Sequence, residues 1–105
     1  MLSAHAPLAM FAGHQLAELN EADIPTLQAL YEANPEYCQL VMGRRPLASE
    51  AHDDFHSLPP ADFPMNKKWM IGLVKSDCEL IGVADVVSDL FAPAVWHIGF
   101  FMIAT

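Results

Sequence analysis

The chain has 105 residues, 53% of them apolar, and its 13 acidic side chains against 5 Lys and Arg give a formal charge of −8. That length allows one domain with one modest core, and that composition excludes a disordered chain. The acidic balance disfavours nucleic acid and anionic membranes, whose phosphates need cations, and favours a cationic partner such as an amine.

Residues 1–13 read as a loose N-terminal arm, interrupted by Pro7 and Gly13 and without periodicity. No basic segment precedes a long apolar run there, so no secretory signal is expected. No run anywhere approaches the roughly 18 apolar residues of a membrane span. His14 to Leu19 alternates apolar and polar residues, the pattern of a short edge strand. Asn20 or Asp23 caps the helix that follows, and Pro25, tolerated only in a first turn, favours Asp23. Ile24, Leu27, Leu30 and Tyr31 share one face of it. Asn34-Pro35 ends this helix and starts a second. The second carries Tyr37, Leu40 and Val41 on its apolar face and Gly43 at its C-terminal cap. Arg44-Arg45-Pro46 is a connector. Ser49 caps a third, short helix with Ala51, Phe55 and Leu58 at i, i+4 and i+7, and Pro59-Pro60 stops it.

Lys67 to Lys75 is the next strand, with Trp69 to Val74 as its apolar body. Ser76-Asp77 turns the chain into a strand from Glu79 to Val87, and Trp96 to Ala104 forms the last strand. Both of these last runs are apolar on both faces, so both faces of the sheet need cover. Trp69 and Trp96 read as core. The order is β-α-α-(α)-β-β-β, with helices early and antiparallel strands late. That is an α+β fold with a mainly antiparallel sheet.

Cys38 and Cys78 have no short spacing, which excludes a zinc site built on cysteine and reads as two free thiols in a reducing cytoplasm. His52 and His56 lie at i and i+4, the spacing of two zinc ligands, with Asp53 where the protease motif has Glu. No third ligand follows; the competing reading is a polar helix face, and no metal is assigned. His97 lies in the middle of the last strand, and its near-neutral titration suits a base that takes a proton from an amine. The plainer reading is a half-buried sheet histidine. Asp85 interrupts an apolar strand, and a lone carboxylate there needs a partner or water.

This order of elements, with these residues, resembles the N-terminal half of the GNAT superfamily of acetyltransferases. Leu19-Asn20-Glu21-Ala22-Asp23-Ile24-Pro25-Thr26-Leu27 looks like the start of that family's first helix, and Asn34-Pro35-Glu36-Tyr37 like its helix–helix junction. Glu79-Leu80-Ile81-Gly82-Val83-Ala84-Asp85 looks like its third strand, and Trp96 to Ala104 like its fourth. The resemblance covers residues 14–105 and implies acetyl transfer from acetyl-coenzyme A to a small amine. It places Glu36 and Tyr37 beside the acceptor site and Asp85 near the acceptor pocket, with His97 as the candidate base. It gives the backbone of Phe101, Met102 and Ile103 hydrogen bonds to the pantetheine arm and acetyl carbonyl.

One departure matters. The family's fourth strand runs into a loop of the form Arg/Gln-x-x-Gly-x-Gly/Ala at a helix N-terminus, which cradles the pyrophosphate with backbone N–H groups. The sequence stops at Thr105, before that loop. The expectation is a partial domain that does not bind acetyl-coenzyme A by itself and is inactive alone. The alternative is a non-catalytic module that self-associates or binds a partner. In either case the strand from Trp96 to Ile103 is expected to lie on an open edge and an uncovered face, and to form a homodimer.

Overall fold

The computed structural model describes residues 7–104. A five-stranded antiparallel sheet has strands in sequential order, β1 (Ala9–Phe11), β2 (His14–Glu18), β3 (Lys67–Lys75), β4 (Leu80–Ser88) and β5 (His97–Ile103). Three helices, α1 (Ile24–Ala33), α2 (Pro35–Met42) and α3 (Glu50–His56), join β2 to β3. The fold is therefore α+β, with the last three strands consecutive and antiparallel as the sequence predicts.

Residues 9–11, placed by the sequence in a loose arm, form β1 instead. Ala12 and Gly13, both at positive φ (45° and 76°), make the two-residue turn that pairs Phe11 with His14. Positive φ at both central positions matches the twist of the flanking strands. β2 is thus covered on its outer side and is not an edge; residues 1–6 lie outside the described part.

Asn20 closes a 3₁₀ turn (Glu21–Asp23) ahead of α1. Its side chain accepts from the Ala22 N–H at 3.0 Å, while the buried Asp23 carboxylate accepts from the Asn20 N–H at 2.9 Å. Both candidate caps are used reciprocally, which is why Pro25 fits just inside the helix. Leu27, Leu30 and Tyr31 of α1 are buried against the sheet. Gly43, at φ 73°, ends α2 in the left-handed conformation expected of it.

The expected apolar face of α2 is corrected. Leu40 is 86% exposed and Val41 58%, whereas Cys38 points inward beside the half-buried Tyr37. In α3, Ala51 is buried and Phe55 packs on the core, but Leu58 falls beyond the helix and is exposed. Ser49 precedes α3 without capping its backbone; its hydroxyl bonds the Asp53 carboxylate at 3.0 Å. Gln28 of α1 does the capping, accepting from the Ala51 N–H at 2.9 Å and donating to the Leu47 carbonyl at 2.8 Å.

The helices all lie on one face of the sheet. Across the strands, the row Ala17, Gly72, Val83 and Met102 belongs to that face and is buried. Gly72 is needed there: a Cβ would meet Leu80 Cδ1 at 2.8 Å and Leu19 Cδ2 at 2.9 Å. The adjacent rows, Glu18–Ile71–Ala84–Phe101 and Leu16–Leu73–Gly82–Ile103, point the other way. Among the described residues no helix covers them.

The β4–β5 pairing slips by one residue. Asp85 faces Phe100 and Val86 faces Ile98, leaving Gly99 as a bulge. The bulge inverts the alternation, so His97, opposite Val87, lies on the same face as Phe100 and Met102.

Candidate functional site

A cavity of about 200 Å³ opens between the three helices and β5. Tyr31 of α1, Tyr37 and Cys38 of α2, and Glu50 and Asp54 of α3 form its polar side. Phe100 and Met102 of β5, with Val41 and Met42 of α2, form its apolar side. The Phe100 ring stands 6.4 Å from that of Tyr31, edge on, and 5.9 Å from that of Tyr37.

The polar groups differ in how well they are satisfied. Glu50 accepts from Arg44 at 2.6 Å and from the Leu47 N–H at 3.1 Å. The Arg44 hydrogen bond, with the Leu47 N–H, holds the Glu50 carboxyl below the usual carboxylate range. Tyr31 is only 5% exposed, and its hydroxyl has no hydrogen-bond partner among the described residues. Asp54 approaches it without reaching hydrogen-bond geometry. Burial first, and then the Asp54 charge, keep the phenol protonated far above its ordinary range. Burial likewise raises the Asp54 carboxyl, with the Tyr31 hydroxyl opposing the shift. Burial raises the Cys38 thiol too, and Glu50 outweighs Arg44 in the same direction. This thiol is not an activated nucleophile.

A second, shallower cleft of about 270 Å³ lies beside the first and shares Gly99 with it. It brings together two of the sequence candidates, His97 and Asp85. His97 is exposed at its rim. Asp85 is not alone: Lys68, from β3, pairs with it at 3.0 Å, both side chains being nearly buried. The same ammonium group donates to the backbone carbonyls of Asp54 and, at 2.6 Å, Ser57. Lys68 thereby caps the C-terminal end of α3 and fixes the Asp54 backbone.

The other candidates divide. Tyr37 and Met102 line the cavity. Glu36 is exposed at the start of α2 and lines neither space. Phe101 and Ile103 turn their side chains to the uncovered face, 63% and 58% exposed. Their backbones have another use. The Ala104 N–H donates to the Ile81 carbonyl at 2.7 Å, so alternation turns the polar groups of Met102 inward to β4. Those of Phe101 and Ile103 point outward from the last strand of the sheet.

The backbone groups of Met102 are used within the sheet.

The His52 and His56 rings meet edge on with centroids 4.4 Å apart, and each has an acidic neighbour, Asp53 and Glu21 respectively. Among the described residues no three His, Cys, Asp or Glu side chains form a metal-binding group. No helix of the described residues is long and apolar enough to cross a membrane.

Sequence reasoning missed Tyr31 and Asp54. Tyr31 sits at a core position of α1, and Asp54 hides within a run of polar residues on α3. Comparison with protein-family models, curated proteins and solved structures finds no match to this chain.

Proposed function

We propose that this chain supplies the amine-acceptor half of an acyl-coenzyme A-dependent N-acetyltransferase. The observation that carries the reading is one of position. A cavity lined by Asp54 and Glu50 lies directly behind a strand whose outward backbone groups are unspent. The first feature suits a cationic acceptor, and the second suits an amide-bearing donor. When bound, the coenzyme supplies an activated acetyl thioester. The residues of this chain hold and orient the amine, and the outward N–H groups of Phe101 and Ile103 fix the donor arm. In the neighbouring cleft, exposed His97 has access to the proton that the amine loses. The free thiols of Cys38 and Cys78 fit a cytoplasmic setting.

Coenzyme A release from acetyl-coenzyme A, read with a panel of amines, tests the proposal. The 105-residue chain is expected to show neither turnover nor micromolar acetyl-coenzyme A binding. A longer, continued product that adds a Gly-rich loop after Thr105 is expected to acetylate an amine. A continued product that has the loop yet acetylates none of them overturns the reading.

The exposure of Ile98, Phe101 and Ile103 favours a second reading, a module that pairs with its own copy along β5. An in-frame stop after Thr105 and a dimer by light scattering would favour it over the first.

A further inference from the structure

We propose that the cavity behind β5 takes a compact monoamine, one ammonium group on a short apolar body, with Tyr31 and Asp54 holding the nitrogen. This deepens the transferase reading and rests on it for the fate of the amine, though not for its binding.

Tyr31 lines the cavity, and its buried hydroxyl meets no partner in hydrogen-bond geometry. Such a group is costly to leave unpaired, so a ligand that bonds it gains more there than in water. Of the two carboxylates on the wall, Glu50 is occupied by Arg44 and the Leu47 N–H. Lys68 is occupied as well, by Asp85 and two carbonyls. The Asp54 carboxylate has only the Tyr31 hydroxyl near it, short of hydrogen-bond geometry, which leaves it the acceptor with capacity. An ammonium has three donors. One meets Asp54, a second meets a lone pair of the Tyr31 oxygen, and the Tyr31 O–H then donates to Asp54. Tyr31, Tyr37 and Phe100 all line the cavity, and a cation gains where it meets a ring face.

The rest of the lining sets the class. Val41, Met42 and Met102 offer nothing to a second charge, and the second carboxylate, Glu50, is already neutralised by Arg44, which disfavours a diamine. A carboxylate on the ligand would meet Asp54 and Glu50, which disfavours an amino acid.

Calorimetric titration of the 105-residue chain with phenethylamine, putrescine and phenylalanine tests this. Phenethylamine is expected to bind, and the other two to bind more weakly by roughly tenfold or more. Asp54→Asn and the near-isosteric Tyr31→Phe should each weaken phenethylamine by a similar factor while leaving the far-ultraviolet circular dichroism unchanged. Burial raises the Asp54 carboxyl, so affinity should rise with pH above the ordinary aspartate range as Asp54 loses its proton, and Asp54→Asn should flatten that rise. The other groups in its field are Tyr31 on α1, Tyr37 and Cys38 on α2, Arg44 just after α2 and bound to Glu50, Glu50 on its own helix, Lys68 on β3 and Asp85 on β4. Of these, Glu50, Lys68 and Asp85 are already paired.

Phenethylamine affinity unchanged from the parent in both variants, or no binding to the parent at millimolar ligand, overturns the proposal. Amine binding without acetylation by the continued product would sink the transferase reading and leave this one standing. Acetylation indifferent to Asp54→Asn would do the reverse.

Discussion

The two faces of the sheet carry similar apolar residues to opposite ends. On the helix face, Met70, Val83 and Met102 are buried with α1 above them. On the other face, Phe101 and Ile103, neighbours of Met102 in the same strand, remain more than half exposed. Hydrophobicity alone therefore does not say which side of a strand is core; cover does. The covered face also holds the polar exceptions, the Lys68–Asp85 pair and the Tyr31–Asp54 couple, because only a roofed surface can make a charge scarce enough to matter.

Lys68→Met should separate the faces most sharply. It strands Asp85 and frees the end of α3, and should cost about 3 kcal/mol or more in urea denaturation. Next comes the fully buried Leu27, where Leu27→Ala should cost about 2–5 kcal/mol. Gly43→Ala, forced to φ 73°, should cost about 1 kcal/mol.

Asp54→Asn should act in the other direction and depend on pH. Its folded pKa is raised, so the native state holds that proton more tightly than the unfolded chain. The Asp54 contribution favours folding below its unfolded pKa and is lost as pH rises through the folded value. Asn removes that loss, so the melting temperature of the variant should exceed that of the parent most at neutral pH, and the gap should close on acidification below the ordinary aspartate range.

The smallest effect is expected on the bare face, where Phe101→Ala should change monomer stability by less than about 0.5 kcal/mol. If β5 pairs with a second copy, Phe101→Lys should instead dissociate or precipitate it. A stable parent monomer in light scattering at tens of micromolar (an order-of-magnitude choice) would remove the dimer and leave the comparison of faces intact.

The strands from Lys67 onward were legible because β-branched runs, a Ser-Asp turn and a double-sided pattern all agree. β1 was not, because three residues, Ala-Met-Phe, carry no alternation and Ala-Gly is a weak hairpin signal. The inward side of α2 was misjudged because Leu40 and Val41 outweigh Cys38 in any hydrophobicity count, while the short helix meets the sheet through Cys38 and Tyr37. In the site, His97 and Asp85 share a cleft only because the Gly99 bulge shifts the phase of β5, a one-residue slip that sequence alternation cannot show. Tyr31 and Asp54 were hidden for a different reason. Their importance lies in an unmet hydrogen bond, which exists only once the surroundings are closed.

The Lys68 ammonium bears on how the molecule breathes. α3 has seven residues, too few to keep its turns in water alone. Gln28 grips its beginning and Lys68 its end, so its amides should exchange with deuterium at the slow rate of β3 rather than at that of a surface helix. α2 has no such tether to the sheet, and its exposed Leu40, Val41 and Met42 leave little to hold it down. Exchange should therefore be fast along α2 and slow along α3: one wall of the cavity loosens on its own, while the wall that carries Asp54 yields only when the sheet does.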